Sequence, residues 1–154
     1  MKKLLLGLCC LASFGIAYGS ENQTVTFKDK QAVYKGPEEF FTGDVQVKAM
    51  TDTNDTTNYG TAYVTFAPRA RSAWHTHPAG QTLIVVSGKA WTQEWNGKKT
   101  EAKAGDIIWC PTGVKHWHGA SPDGEMTHLT ITGVKDGKNV EWLEKVTDEQ
   151  YLAD

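Results

Sequence analysis

Three histidines and one glutamine lie in this chain at spacings that could hold a metal ion. His75 and His77 are two residues apart, so on a strand both imidazoles would point to the same face. Gln81 follows His77 after three residues, and His116 lies in a second segment further along. Three imidazole nitrogens and one amide oxygen suit a divalent transition metal. The sequence therefore predicts a metal site formed by these four side chains.

The amide at position 81 bears on the chemistry that such a metal could perform. A carboxylate ligand would cancel one unit of the metal's charge, whereas the neutral amide of Gln81 leaves that charge in place. The bound ion should therefore be a stronger Lewis acid, and its oxidised state should be less favourable. This favours non-redox chemistry over oxygen activation.

The two remaining histidines lie close to the same segments. His118 is two residues beyond His116, and His128 belongs to residues 126–132, where alternation would place it on the same strand face as Thr132. A histidine beside a Lewis-acidic ion is a natural proton acceptor, so both are candidate catalytic residues. The alternatives are an exposed loop position for His118 and a hydrogen-bonded core position for His128.

The elements that must position these residues are short strands. Alternating or β-branched apolar patterns, separated by turn signals, predict them. The segments concerned are 61–66, 81–86, 90–95, 106–110 and 126–132. Asn96-Gly97 predicts a tight hairpin turn, and residues 121–124 predict a second turn. Only residues 140–151 could form a helix, and a short one, so the sequence predicts an all-β barrel or sandwich.

The N-terminal segment has the pattern of a secretory signal. Lys2 and Lys3 precede an apolar run over residues 4–17, and Ala17 and Gly19 are small, which indicates cleavage after Gly19. The apolar run is too short to span a membrane. A lipoprotein signal is the alternative, but no small residue precedes either cysteine of the segment. We expect a periplasmic or secreted protein that has no membrane segment after cleavage.

The rest of the chain is predicted to form one domain over residues 20–154. Residues 20–45 are polar and contain Gly and Pro, which predicts an N-terminal arm with one or two edge strands, while the core barrel should span about 58–135. The full chain carries 16 basic and 18 acidic side chains, so loss of two lysines with the signal leaves a net charge of −4. Without a basic surface, nucleic acid is not an expected partner. Cys110 would be the one remaining cysteine and can form no internal disulfide.

The histidine segments together carry a known two-part pattern. His75-x-His77, three residues, Gln81, six residues and Gly88 form the first part, and Gly105, five residues, Pro111-x-Gly113, two residues and His116 form the second. This resembles the signature of the cupin superfamily, with Gln in place of the usual Glu. The likeness selects the small jelly-roll barrel among all-β folds.

Longer phrases resemble a narrower group, the small bacterial cupins that include manganese-dependent hydroxynitrile lyases. The similar segments are 34–43, 71–85, 105–111, 115–120 and 142–151. The resemblance implies metal ligands at His75, His77, Gln81 and His116, with manganese as the ion and iron, nickel or zinc as alternatives. It also implies that His118 or His128 acts as the base, that Ala62 and Val64 line the pocket, and that the protein forms a homodimer or homotetramer.

The implied reaction is the cleavage of a cyanohydrin, a small-molecule substrate, to an aldehyde and cyanide. One departure bears on it, because Thr132 stands where those lyases carry a glutamine thought to face the pocket. Two other functions remain open at this point. A metal-dependent dioxygenase would use a similar ligand set but would require oxygen, and a non-catalytic protein that binds a small ligand or metal would show no turnover.

Overall fold

The computed structural model describes residues 22–54 and 56–153, so the predicted signal at 1–19 lies outside the described residues. The first elements in chain order are a 3-10 turn (Lys28–Lys30), β1 (Val33–Lys35), β2 (Phe41–Thr42), β3 (Val45–Thr51), β4 (Tyr59–Phe66), β5 (Arg71–Ser72) and β6 (His75–Thr76). They are followed by β7 (Gln81–Ser87), β8 (Lys89–Glu94), β9 (Thr100–Lys103), β10 (Ile107–Cys110), β11 (His116–Ala120), β12 (Met126–Gly133), β13 (Glu141–Trp142) and α1 (Asp148–Leu152). Strands thus make up most of the regular structure in the described chain, as predicted.

The strands form two antiparallel sheets. The first has the order β1-β3-β4-β12-β7-β10. In the second, β11 pairs with β5, β6 and β8, while β2, β13 and β9 extend the sheet outward. Apolar side chains from both sheets, such as Phe66 and Val85 from the first and Ala90 and Ala120 from the second, share one core. This is the jelly-roll barrel expected from the sequence.

Strand alternation decides which side chains enter the barrel. Along β12 every second residue is buried, beginning with Met126, so His128 and Thr132 face inward as the period of two predicted. The segments 61–66, 81–86, 90–95, 106–110 and 126–132 all correspond to observed strands. Asn96 and Gly97 lie in the turn between β8 and β9, where Asn96 adopts a left-handed conformation and the N–H of Gly97 donates to the carbonyl of Glu94. The loop spans residues 95–99, however, and is longer than a two-residue hairpin.

One long strand was not predicted. The N-terminal arm contains the two short strands that were expected, β1 and β2, but β3 follows them and pairs along most of β4. Val45 and Val47 enter the core, whereas Gln46 is exposed, so this segment does alternate. Lys48 and residues 49–51 weaken the pattern, and tertiary pairing overrides them. Strands β3 and β13 both lie outside residues 58–135 and pair with strands within that range.

The predicted C-terminal helix is present and shorter than residues 140–151. Thr147 caps α1 through a reciprocal capping box with Gln150. The helix closes a second core, in which Tyr151 packs against Trp117 and Trp74. Arg71 holds the segment in place, because its guanidinium donates to the carbonyl of Val146. No helix in the described part of the chain is long and apolar enough to cross a membrane.

Tyr151 allows a test of this closure. Its ring is fully buried and its hydroxyl donates to the carbonyl of Ala120 at 2.8 Å. We expect Tyr151→Phe to lower the free energy of unfolding by about 1–2 kcal/mol, because a buried carbonyl loses its donor. Tyr151→Ala should cost about 3–5 kcal/mol, because a cavity also forms. Urea unfolding measures the free energy of unfolding of both variants. Equal losses would show that the packing of the Tyr151 ring does not contribute to stability.

Candidate metal centre and active site

The predicted metal ligands meet at one end of the barrel. His75 opens β6 and His116 opens β11, and the two are directly opposite each other in the antiparallel ladder. His77 follows β6 by one residue, and Gln81 opens β7 in the other sheet. The site therefore bridges the two sheets, and folding alone brings His116 to the histidine pair.

The imidazole rings are close together and removed from solvent. Ring centroids are 4.3 Å apart for His75 and His116, 5.0 Å for His75 and His77, and 5.4 Å for His77 and His116. None of these rings, nor the Gln81 side chain, is more than 7% exposed. Buried polar groups at this density require partners, so the position of each hydrogen-bonding atom is informative.

Backbone carbonyls fix the tautomer of all three histidines. The Nδ1 atoms of His75, His77 and His116 lie 2.9, 2.6 and 2.9 Å from carbonyl oxygens. The acceptors are the carbonyls of Ala73, Asn139 and Val114, in that order. Because a carbonyl only accepts, each Nδ1 must carry the proton, which leaves the Nε2 lone pair bare. This is the arrangement by which metal-bound histidines are oriented.

The atoms left over fit a metal ion. Within the described residues, Nε2 of His77, Nε2 of His116 and Oε1 of Gln81 are buried and have no hydrogen-bond partner. Each unpaired buried group costs about 1–3 kcal/mol. Two bare imidazole nitrogens and an amide oxygen are electron-pair donors, and a divalent cation would satisfy all of them together. The residues present therefore fit the group that the sequence pattern implies.

His118 gives the site a second possible composition. Ring nitrogens of His75, His116 and His118 all lie within 4.8 Å of one another, so these three buried histidines could hold a metal ion. The sequence pattern selects His77 and Gln81 instead of His118. We favour the sequence-predicted set, because His77 and Gln81 carry unpaired buried atoms, whereas Nδ1 of His118 is 3.3 Å from Nε2 of His128.

Burial keeps these histidines neutral. It lowers the pKa of His116 and of His128 to about 4, and it lowers the pKa of His77 as well. For His75 and His118, burial and the neighbouring imidazoles hold the pKa well below its usual value. A metal ligand must be unprotonated, so the site is ready to bind a cation at neutral pH.

Neutral buried histidines should make the metal-free protein sensitive to acid. The pKa of His128 is about 4 in the fold, against 6.5 ordinarily. Between these pH values the unfolded chain binds a proton that the folded chain does not. The contribution of this group to the free energy of unfolding is therefore fully present above about pH 6.5 and is lost as the pH falls towards 4. His128 alone accounts for about 3 kcal/mol of this loss. Urea unfolding of EDTA-treated protein should show it, and His128→Leu should give a shallower profile. A flat wild-type profile would contradict the assignment.

A cavity of about 300 Å³ adjoins the site. The predicted pocket residues Ala62, Val64 and Thr132 line it, together with the candidate catalytic residues His118 and His128. Nδ1 of His128 is buried and has no partner among the described residues. The cavity therefore places two neutral imidazoles beside the candidate metal ligands, where each could take up a proton.

Aromatic side chains that the sequence did not predict for the site form the mouth of this cavity. Phe40 and Trp142 stack there, with ring centroids 4.8 Å apart and planes 10° from parallel. Trp142 also contacts His75, which it faces across the β6–β13 pair. Tyr34 and Phe41 complete the mouth. The one signal in the sequence was that these residues fall in the resembling segments 34–43 and 142–151.

A wider groove of about 560 Å³ lies elsewhere, between the β8–β9 hairpin and β10. Its lining mixes charged side chains such as Glu94 and Lys98 with Ile107 and Trp109. His116 borders it, but the other predicted ligands do not. We place the candidate active site in the smaller cavity. The electron-pair donor atoms of His77 and Gln81 that have no hydrogen-bond partner lie there, and the groove offers no comparable set.

Comparison with known proteins identifies the fold family. Residues 62–132 match the family described as Cupin domain. The chain is 51% identical over 121 residues to a protein named (R)-mandelonitrile lyase from Granulicella tundricola, an overlap that spans 79% of this chain and 92% of the relative. The chain belongs to the cupin family. It is a small cupin similar to that lyase, as the sequence resemblance implied.

Solved structures that resemble this chain have the same fold. A cupin-like protein from Thermotoga maritima is 45% identical, with a TM-score of 0.73, and the overlap covers 76% of this cupin and 89% of that chain. The polyketide cyclase RemF from Streptomyces resistomycificus is 15% identical, with a TM-score of 0.66 over 84% of this cupin and 91% of that chain. At such identity the second likeness concerns the fold alone. This cupin thus shares its architecture with enzymes and has three buried histidines that could hold a metal ion.

Proposed function

We propose that this cupin is a metal-dependent carbon–carbon lyase that cleaves cyanohydrins to an aldehyde and hydrogen cyanide. The observation that carries the proposal is the set of unpaired buried donor atoms on His77, Gln81 and His116, beside a cavity that contains two neutral imidazoles. The 51% identity to the mandelonitrile lyase supports the choice of reaction. Cyanohydrin cleavage needs only a Lewis acid and a base, and both fit this site.

The proposed ligands are His75, His77, Gln81 and His116, with manganese as the ion and iron, nickel or zinc as alternatives. A divalent ion held there would supply Lewis acidity to a substrate hydroxyl in the cavity. Because Gln81 is neutral, the protein would not offset the ion's charge. The backbone carbonyls behind the three imidazoles engage each Nδ1, which would leave each Nε2 available to such an ion.

The His118–His128 pair would handle the proton. Both imidazoles are neutral at pH 7, because burial lowers their pKa, so either can accept the hydroxyl proton of a cyanohydrin. The oxygen then forms the aldehyde carbonyl while the bond to the nitrile carbon breaks, and its electron pair leaves with cyanide. Return of the proton to cyanide gives hydrogen cyanide and restores the neutral pair.

The cavity walls favour an apolar substrate group. Val64, Phe40 and Trp142 line the space beside the ligands, and the stacked pair at the mouth presents aromatic surface. An aryl ring would bury well against them. A mandelonitrile-like cyanohydrin, with its reactive carbon at the histidines and its ring towards the mouth, therefore suits the cavity.

Metal analysis and mandelonitrile cleavage on one purified sample test the proposal. We expect about one divalent ion per chain and cyanide release under anaerobic conditions, with both lost after chelation and restored by Mn²⁺. Turnover that requires oxygen would indicate the dioxygenase instead. Bound metal with no turnover would exclude the lyase on this substrate, and no metal after reconstitution would favour a small-ligand-binding protein.

We also propose export and self-association. A signal over residues 1–19 would direct the protein to the periplasm or the medium, with Ser20 as the mature N-terminus. A homodimer or homotetramer is proposed from the resemblance. N-terminal sequencing of the exported protein and light scattering of the pure protein measure the two properties.

A further inference from the structure

The side-chain amide of Gln81 has a defined partner on the neighbouring strand. Gln81 opens β7, and Thr132 lies directly opposite on β12, so both side chains enter the same side of the barrel. Nε2 of Gln81 donates to Oγ1 of Thr132 at 2.9 Å. Each residue is 7% exposed, so water competes little for this bond.

An amide ligand has a problem that a carboxylate does not have. Its two ends differ, since the oxygen can donate an electron pair to a metal and the nitrogen, with two protons, cannot. Rotation of the terminal group of Gln81 by half a turn would present the NH2 group to the site. A neighbouring group that can only accept opposes this rotation, because the rotated amide oxygen would meet no donor; a threonine hydroxyl does so when its own proton is bonded elsewhere.

Thr130 supports the direction of the bond. Its hydroxyl lies 2.9 Å from the hydroxyl of Thr132, and the two residues share one face of β12. If Thr132 gives its single proton to Thr130, it can only accept from the amide of Gln81, so a rotated amide oxygen would find no donor there. Donors and acceptors then match along the row from Gln81 to Thr132 to Thr130.

We propose that Thr132 is a positioning residue that holds the amide oxygen of Gln81 towards the metal site. The inference rests on the proposed metal site and adds a role for a residue that would otherwise only line the cavity. The role also explains how a neutral amide could serve as the ligand at position 81. A carboxylate presents an oxygen in either orientation, whereas the amide of Gln81 needs the neighbouring hydroxyls to fix which end faces the metal site. This role depends on the hydrogen bond between Gln81 and Thr132 in this chain.

Titration of the metal-free protein with Mn²⁺ alone tests the role without any substrate. Thr132→Val keeps the shape and removes the acceptor, so the bound state must bury an unpaired N–H. We expect the dissociation constant to rise about 10–100-fold. Thr132→Ser should restore it to within about threefold of wild type. Thr130→Val should weaken binding less than Thr132→Val does, by less than about tenfold, because Gln81 keeps its acceptor although the freed proton of Thr132 can also pair with a rotated amide.

A second ligand background separates orientation from general damage. In Gln81→Glu both oxygens of the side chain can act as ligands, so adding Thr132→Val should change Mn²⁺ affinity by less than about threefold. Equal affinity of wild type and Thr132→Val would overturn the positioning role and leave the metal site intact. An equal loss in Thr130→Val, or in the Gln81→Glu background, would also overturn it. Failure of the wild type itself to bind Mn²⁺ would overturn both the metal site and the inference.

Discussion

Replacement of His116 by alanine should leave the purified protein without stoichiometric metal and without lyase activity. His116 is the one proposed ligand from β11, and the three remaining side chains could not complete the coordination of an ion without it. Loss of an outer partner typically weakens metal binding 10–100-fold, and loss of a direct ligand should exceed about 100-fold. Elemental analysis after dialysis, with mandelonitrile cleavage on the same sample, measures both effects. Stoichiometric metal in this variant would show that His116 is not a ligand.

Two further variants decide between the compositions of the site. His77→Ala removes an imidazole whose Nε2 is buried and unpaired, whereas His118→Ala removes one that is hydrogen-bonded to His128. We expect His77→Ala to lose the metal and His118→Ala to retain about one ion per chain. The reverse result would establish His75, His116 and His118 as the ligand set. The His118 variant also serves as the control for loss of any one buried imidazole.

The parts of this site that the sequence predicts are those encoded locally. Two residues of spacing place His75 and His77 close together, and a period of two on β12 places His128 and Thr132 in the barrel. Each relation spans a few residues within a strand or just past its end, and local backbone geometry determines it. The inward face of β12 could therefore be predicted without knowledge of its neighbours.

The parts that the sequence did not reveal depend on long-range contacts. Phe40 and Trp142 stack at the cavity mouth although about a hundred residues separate them, and neither has a distinctive local pattern. The carbonyl of Asn139, which fixes the tautomer of His77, belongs to a residue 62 positions further along the chain. Every residue type has a backbone carbonyl, so the sequence does not show which carbonyl acts as a hydrogen-bond acceptor. The hydroxyl row behind Gln81 likewise becomes visible only when β7 and β12 are paired.

Loss of the His118 imidazole should reduce the turnover number for cyanohydrin cleavage by about 10²–10⁴-fold while the metal remains bound. A ring nitrogen of His118 lies within 4.8 Å of those of His75 and His116, and His128 stands behind it at 3.3 Å. His118 is therefore the nearer base, and His128 would accept or hold the proton in second position. We expect a smaller loss in His128→Ala than in His118→Ala, measured as kcat on metal-loaded protein.

Chemical rescue distinguishes a base from a packing residue in this pair. Added imidazole can enter the space left in His118→Ala and accept the proton, so it should restore part of kcat in proportion to its neutral form. A variant that has merely lost packing would not respond, because its defect lies in the position of the other side chains. If imidazole rescues His128→Ala and leaves His118→Ala unchanged, the order of the two residues is reversed and His128 is the base. If it rescues neither variant, proton transfer by this pair is not what limits cleavage.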